Sequence, residues 1–172
     1  AGVDYAVTTK SDGSYSGLGG SGAIHVFGGT DTYGTGLTFS GVLLAPDSAT
    51  VVTPLTTLVQ SLKDVGGLST DQAVTKVASL LGLSSLGVGP SDLLNTDAIS
   101  TALNSSDATT KSKALNIYAA SAQVANLIVA GTAAAKTAAA GASTEVASNA
   151  VVSALAGQLA SASSAVDLGS ST

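Results

Sequence analysis

Cysteine, methionine, tryptophan and arginine are all missing from this 172-residue chain. Without cysteine there is no disulfide framework and no thiolate metal site. The lack of both sulfur residues suits a long-lived extracellular material, because cysteine and methionine are the main oxidation targets. Charge is scarce too, at 10% of residues, where an ordinary soluble domain carries about a quarter. The basic residues are six lysines, scattered at 10, 63, 76, 111, 113 and 136, against eleven acidic residues. So thin a positive charge forms no patch for nucleic acid. Aromatic residues make up only 3%, so bulky anchors do not build the core.

What remains is small and apolar. Hydrophobic residues reach 45%, carried by Ala, Val and Leu. Such side chains bury little area each, so the core must gain stability from close backbone approach. The start at Ala1 predicts a processed or excised segment, with any export signal outside it.

Residues 1–52 read as β. Val3, Tyr5 and Val7 alternate, as on one face of a strand. Ser11-Asp12-Gly13 is a turn, and Ser14 to Leu18 a return strand. A glycine run leads into Ala23–Phe27, a short strand rich in β-branched and aromatic residues. Leu37–Ala45 is the longest strand candidate, ended by Pro46-Asp47, and Val51-Val52 closes the sheet.

The period changes at Thr53-Pro54, a helix start with Thr as N-cap and Pro in the first turn. Leu55, Leu58, Val59 and Leu62 then share one helical face, and Gly66-Gly67 ends it. Ser69-Thr70-Asp71-Gln72 is a capping box for a second helix that stops at Gly82. Residues 83–96 read as a loop, and 97–104 as a short helix. Ser106-Asp107 caps a long helix running towards Gly141, and Ser143-Thr144-Glu145 opens a last one to about Ala162. The expected class is therefore α+β, a small antiparallel half-sandwich over 1–52 followed by an Ala-rich helical bundle over 53–172.

No charge lies between Lys113 and Lys136, and none between Glu145 and Asp167. Each stretch is long enough to cross a bilayer. Yet Asn116, Gln123, Asn126 and Thr132 interrupt the first, and Ser148, Asn149 and Gln158 the second. Alanine also supplies little insertion energy. The expectation is an antiparallel helix pair, packed closely through small residues, with the few polar side chains hydrogen-bonded across the contact. A helix with no charged face should be largely covered by protein. That cover is expected from another copy of the chain or from an adjacent module.

Chemistry is thinly represented. His25 is the only histidine, it sits in a strand, and no G-x-S-x-G elbow surrounds any serine. The chain is expected not to be an enzyme. Gly17-Leu18-Gly19-Gly20-Ser21-Gly22 fits G-x-G-x-x-G in letters, but a strand follows rather than a helix, so turn glycines are the simpler reading. Asp4, Asp12, Asp31 and Asp47 fall at or near turns. Asp12 and Asp31 are the candidate calcium ligands, the alternative being that each caps its own turn. No other cofactor is expected. Tyr5, Tyr15, Tyr33 and Phe39 could form a shallow aromatic face for a carbohydrate or small ligand, the second functional reading.

One pattern is wider. Gly28-Gly29-Thr30-Asp31, then Gly41-Val42-Leu43-Leu44-Ala45-Pro46, then Val51-Val52-Thr53-Pro54-Leu55-Thr56-Thr57-Leu58-Val59 resembles segments of very large repetitive exported bacterial surface proteins. These are of the adhesin, hemolysin-type calcium-binding and biofilm-associated kinds. Ala73–Leu83, Asp92–Leu103 and Ala119–Val129 are similar too, so the resemblance spans about residues 8–166. It implies a carboxypeptidase-regulatory-like or Ig-like β part, export often by type I secretion, and a place at the cell surface. It carries over no catalytic residues. Calcium is common in such proteins, but the nonapeptide that binds it is absent here, since position 24 is Ile. The function expected is that of a structural, self-associating module, with Ala1–Thr9 as candidate donor strand to an open sheet edge.

Overall fold

The computed structural model describes residues 6–30, 36 and 41–166. It is α+β. A two-stranded antiparallel ribbon, β1 (Ile24–Phe27) and β2 (Val42–Ala45), precedes six helices. These are α1 (Pro54–Gly66), α2 (Thr70–Leu80), α3 (Pro90–Asn95), α4 (Ala98–Asn104), α5 (Ala108–Ala138) and α6 (Thr144–Ser161), with a 3-10 turn at Ser84–Leu86.

The helix starts follow local chemistry. Thr53 caps α1: its hydroxyl accepts from the Thr56 N–H at 3.1 Å, and the Thr56 hydroxyl accepts from the Thr53 N–H at 2.8 Å. Pro54 takes the first helical position, where its missing N–H costs nothing. Gly67 at φ +63 closes the helix, its N–H donating to the Lys63 carbonyl. Ser69 and Gln72 form the reciprocal capping box of α2. Asp97, Asp107 and Ser143 each accept from the N–H three residues on, at the starts of α4, α5 and α6.

Helix α1 is the hub. It packs on β2, α2, α3, α5 and α6, and eight consecutive residues from Leu55 to Leu62 are buried. Leu55, Val59 and Leu62 are fully covered, joined in the core by Val74, Val77, Leu93, Ile117, Val124 and Leu159. The polar residues in that run are used. The Leu44 N–H donates to Thr57 Oγ1 at 2.9 Å, and the Thr56 hydroxyl donates to the Leu44 carbonyl at 2.9 Å. Two threonine hydroxyls thus satisfy the edge of β2 that faces away from β1, and they clasp the ribbon to the helical body. Thr57→Val keeps the shape but orphans the Leu44 N–H. It is expected to cost about 1–2 kcal/mol in denaturant unfolding, and Thr57→Ser should recover most of it.

Several expectations are corrected. Ser14–Leu18 is not a strand. Nor do Val51-Val52 close a sheet: the Thr50 and Val51 N–H groups both donate to the Leu94 carbonyl, drawing this segment to α3 instead. Among the described residues the small antiparallel β unit consists of two strands. The strand ending at Ala45 begins at Val42, and 37–40 lie outside the described residues. Residues 83–96 are not a plain loop. Pro90 sits in the first turn of α3, and the Asp92 carboxylate reaches back to accept from the Gly89 N–H at 2.9 Å.

Candidate functional site: the outward face of α5

Helix α5 is 31 residues long, about 46 Å at 1.5 Å per residue. Its buried side runs Ala114, Ile117, Ala120, Val124, Ile128 and Thr132, spaced by three and four. That stripe lies against α1 and α6, while α4 covers part of the N-terminal half. Rotating about 120° around the axis reaches Leu115, Tyr118, Ala122, Asn126, Val129 and Ala133. These are apolar or neutral too. Leu115 is 50% exposed, Tyr118 51% and Val129 64%, and Ala122, Asn126 and Ala133 are exposed. The charged residues on α5 stand near its two ends, Lys111 and Lys113 at one and Lys136 at the other. Lys113 is engaged by Asp92 at 3.3 Å. Between them stand 22 residues with no charge on either face.

The partner across the inner face is α6, antiparallel after a turn in which Gly141 takes φ +100. The pair is as close as the small residues predict. A Cβ placed on Gly131 would lie 2.8 Å from Val151 Cγ1. The expected polar bonding across the contact is only partly present. Lys136 Nζ donates to Thr144 Oγ1 at 2.8 Å near the turn. Deeper in, Thr132 Oγ1 and Ser148 Oγ are buried with no hydrogen-bond partner among the described residues. Closeness, rather than a polar ladder, holds this pair.

Other candidates are placed as follows. Asp12 caps its own turn, its carboxylate accepting from the Ser14 N–H at 2.9 Å. The Ser14 hydroxyl and N–H hold its carboxyl below the ordinary aspartate range. It is one exposed carboxylate, where calcium takes six to eight oxygens. Among the described residues no group of three or more His, Asp or Glu comes together. Asp31 lies outside the described residues, as do Tyr5, Tyr33 and Phe39. Tyr15 donates its hydroxyl to the Thr50 carbonyl at 3.3 Å, tying the N-terminal segment to the α1 approach rather than fronting a binding face. Ala6–Thr9 of the candidate donor segment is exposed and outside any strand, and the preceding five residues are not among those described. His25 is exposed on β1.

An apolar cleft of about 280 Å³ opens beside the inner face of α5, lined by Leu58, Leu81, Val124, Leu155, Leu159 and Val166 among others. Gln158 and Ser161 are the polar residues on its wall. The segment after α6 forms one side, fixed by the Val166 N–H donating to the Leu80 carbonyl at 2.7 Å.

Sequence reasoning saw the uncharged run but not which side of α5 looks outward, nor the cleft. Among the described residues α5 is also the one helix long and apolar enough to cross a membrane by length and composition. No family model matches the chain, and neither does any curated protein or solved structure.

Proposed function

We propose that the chain is a structural, self-associating module of an extracellular bacterial surface protein, an element of an adhesin, fibre or surface layer, and not an enzyme. The observation that carries this reading is the outward face of α5. It is long, neutral and partly apolar, and it is set on a helix whose other apolar stripe is already used by the fold. Exposed apolar faces of that extent on soluble proteins mark association sites. The resemblance of Gly28–Asp31 and Val51–Val59 to large exported surface proteins supports the same setting, as does the lack of oxidisable sulfur. The cover is another copy or an adjacent module rather than lipid, because Gln123 and Asn126 stand midway along the exposed side.

The test is sedimentation of the chain over a wide concentration range, beside Leu115→Glu/Val129→Glu. Both residues are at least half exposed, so the fold should survive, which circular dichroism checks. The parent is expected to associate and the double variant to stay monomeric. A parent that is monodisperse at the highest concentration, or that floats with neutral lipid vesicles, would refute the reading.

A second reading, a small-ligand module, is favoured by the apolar cleft. Its volume admits about nine water-sized groups, and its few polar residues suit a short aliphatic chain with a neutral head. Decanol should then raise the melting temperature of the parent but not of Leu155→Trp.

A further inference from the structure

We infer that the occupant of the α5 face is a second copy of this chain, docked through its own α5 in antiparallel register about a two-fold axis at Ala122. This rests on the self-association reading and goes beyond it by fixing partner, direction and register. The face itself sets the terms. Leu115 and Val129 lie seven residues to either side of Ala122 on one side of the helix. With Ala122 at the axis, each Leu115 stands level with the partner's Val129. The two largest apolar contacts then repeat symmetrically, as an isologous interface requires. Ala122 is small, so the two backbones can approach closely at the centre, where the axis needs it.

Charge decides the direction. The same register brings Lys136 of one copy level with the partner's residue 108, one position from Asp107, the carboxylate at the start of α5. Asp107 caps α5 through Oδ2, which takes the Thr110 N–H at 2.6 Å. The Thr110 hydroxyl and N–H hold its carboxyl below the ordinary aspartate range. Lys136 likewise donates one of its three hydrogens, to Thr144. Lys111 lies one turn from Asp107 on the same face and opposes part of this attraction. In a parallel pair every charged contact would be between like residues: Asp107 with Asp107, Lys111 with Lys111, Lys136 with Lys136. The helix dipoles would also be aligned side by side. Exposed pairs of this kind are worth well under about 1 kcal/mol each. They choose direction, while the apolar contact supplies the affinity.

Size sets the strength. A contact about 45 Å long and 10 Å wide covers on the order of 450 Å² per copy, about 900 Å² in total. That lies below the range of stable specific complexes and within that of transient ones. A weak pairing of this kind suits a module present many times in one assembly, where tethering multiplies a modest contact.

The chain has no cysteine, so a single introduced thiol reports alone. Three variants of the 172-residue chain at exposed α5 positions, Ala122→Cys, Leu115→Cys and Val129→Cys, are oxidised at high concentration after their helix content is checked. Ala122→Cys is expected to form a disulfide dimer in most of the protein. Leu115→Cys and Val129→Cys should each stay monomeric alone, because self-pairing would span about 21 Å along the axis. Mixed together, these two should cross-link to each other. Self-linked Val129→Cys would mean a parallel pair and overturn the inference. If none of the three cross-links while Leu115→Glu/Val129→Glu still disperses the assembly, this register and partner are wrong and the broader reading survives. If the parent itself is monomeric, both fall.

Discussion

Leu58→Ala lowers the unfolding free energy by about 3 kcal/mol, within the range of about 2–5 seen when a buried leucine loses its side chain. Leu58 is 2% exposed and sits in the middle of α1, the helix on which β2, α2, α3, α5 and α6 all pack. Two terms add. The removed carbons forfeit their transfer energy, about 0.8 kcal/mol per methylene. The space they leave joins the cleft already lined by Val124, Leu155 and Leu159. Collapse to fill it is resisted from both sides. The Thr56 and Thr57 hydroxyls fix α1 to β2, and Lys76 Nζ, donating to the Ala160 carbonyl at 2.6 Å, fixes the end of α6 to α2. A core made of Leu, Val, Ile and Ala, with no aromatic residue, has no large neighbour that could swing into the gap. Urea unfolding with an unchanged slope and a lower midpoint is the expected result. A loss below about 1 kcal/mol would mean that α1 is not the hub. A domain of this kind is stable by only about 5–15 kcal/mol in total, so one such substitution removes a large fraction.

How much of this was legible in the sequence depends on how local the signal is. The starts of α1, α2, α4, α5 and α6 were readable because Thr53, Ser69, Asp97, Asp107 and Ser143 do their work within four residues. The same chemistry starts α3, yet Gly89-Pro90 read as a loop signal, and the carboxylate of Asp92 two residues beyond the proline was the overlooked clue. The β part was harder. Ser14–Leu18 and Val51-Val52 have strand-like composition, but a strand exists only where a distant partner accepts it. The Thr50 and Val51 N–H groups find the Leu94 carbonyl instead, more than forty residues away in the chain. The α5 face was half legible. Absence of charge marked a helix with two neutral sides, while the choice of which one turns inward rests on packing against α1 and α6. No period separates them, because Leu115, Tyr118 and Val129 are as hydrophobic as the stripe that went inside.

Gly131→Ala is expected to destabilise the protein by about 1–2 kcal/mol, although glycine to alanine inside a helix is ordinarily worth about 1 kcal/mol in the other direction. The reason is Val151 on α6. A Cβ on residue 131 would meet its Cγ1 at 2.8 Å and its Cγ2 at 3.2 Å. Both methyls branch from one carbon held near a single rotamer in a helix, so turning the side chain removes one clash by worsening another. The helices must part instead, and parting them thins the contact along α5 and α6. Gly131→Leu should cost about 3 kcal/mol or more, since overpacking then adds side-chain strain. The double variant Gly131→Ala/Val151→Ala isolates the cause: removing the opposing methyls should recover most of the loss, a coupling that thermal melts of the four proteins would read. If Gly131→Ala alone proves stabilising, the close approach of α5 and α6 is not what seats this helix. The same substitution bears on assembly. Moving α5 away from α6 tilts the line from Leu115 to Val129, so Gly131→Ala placed in the Ala122→Cys background should lower the yield of disulfide dimer, and Val151→Ala should restore it.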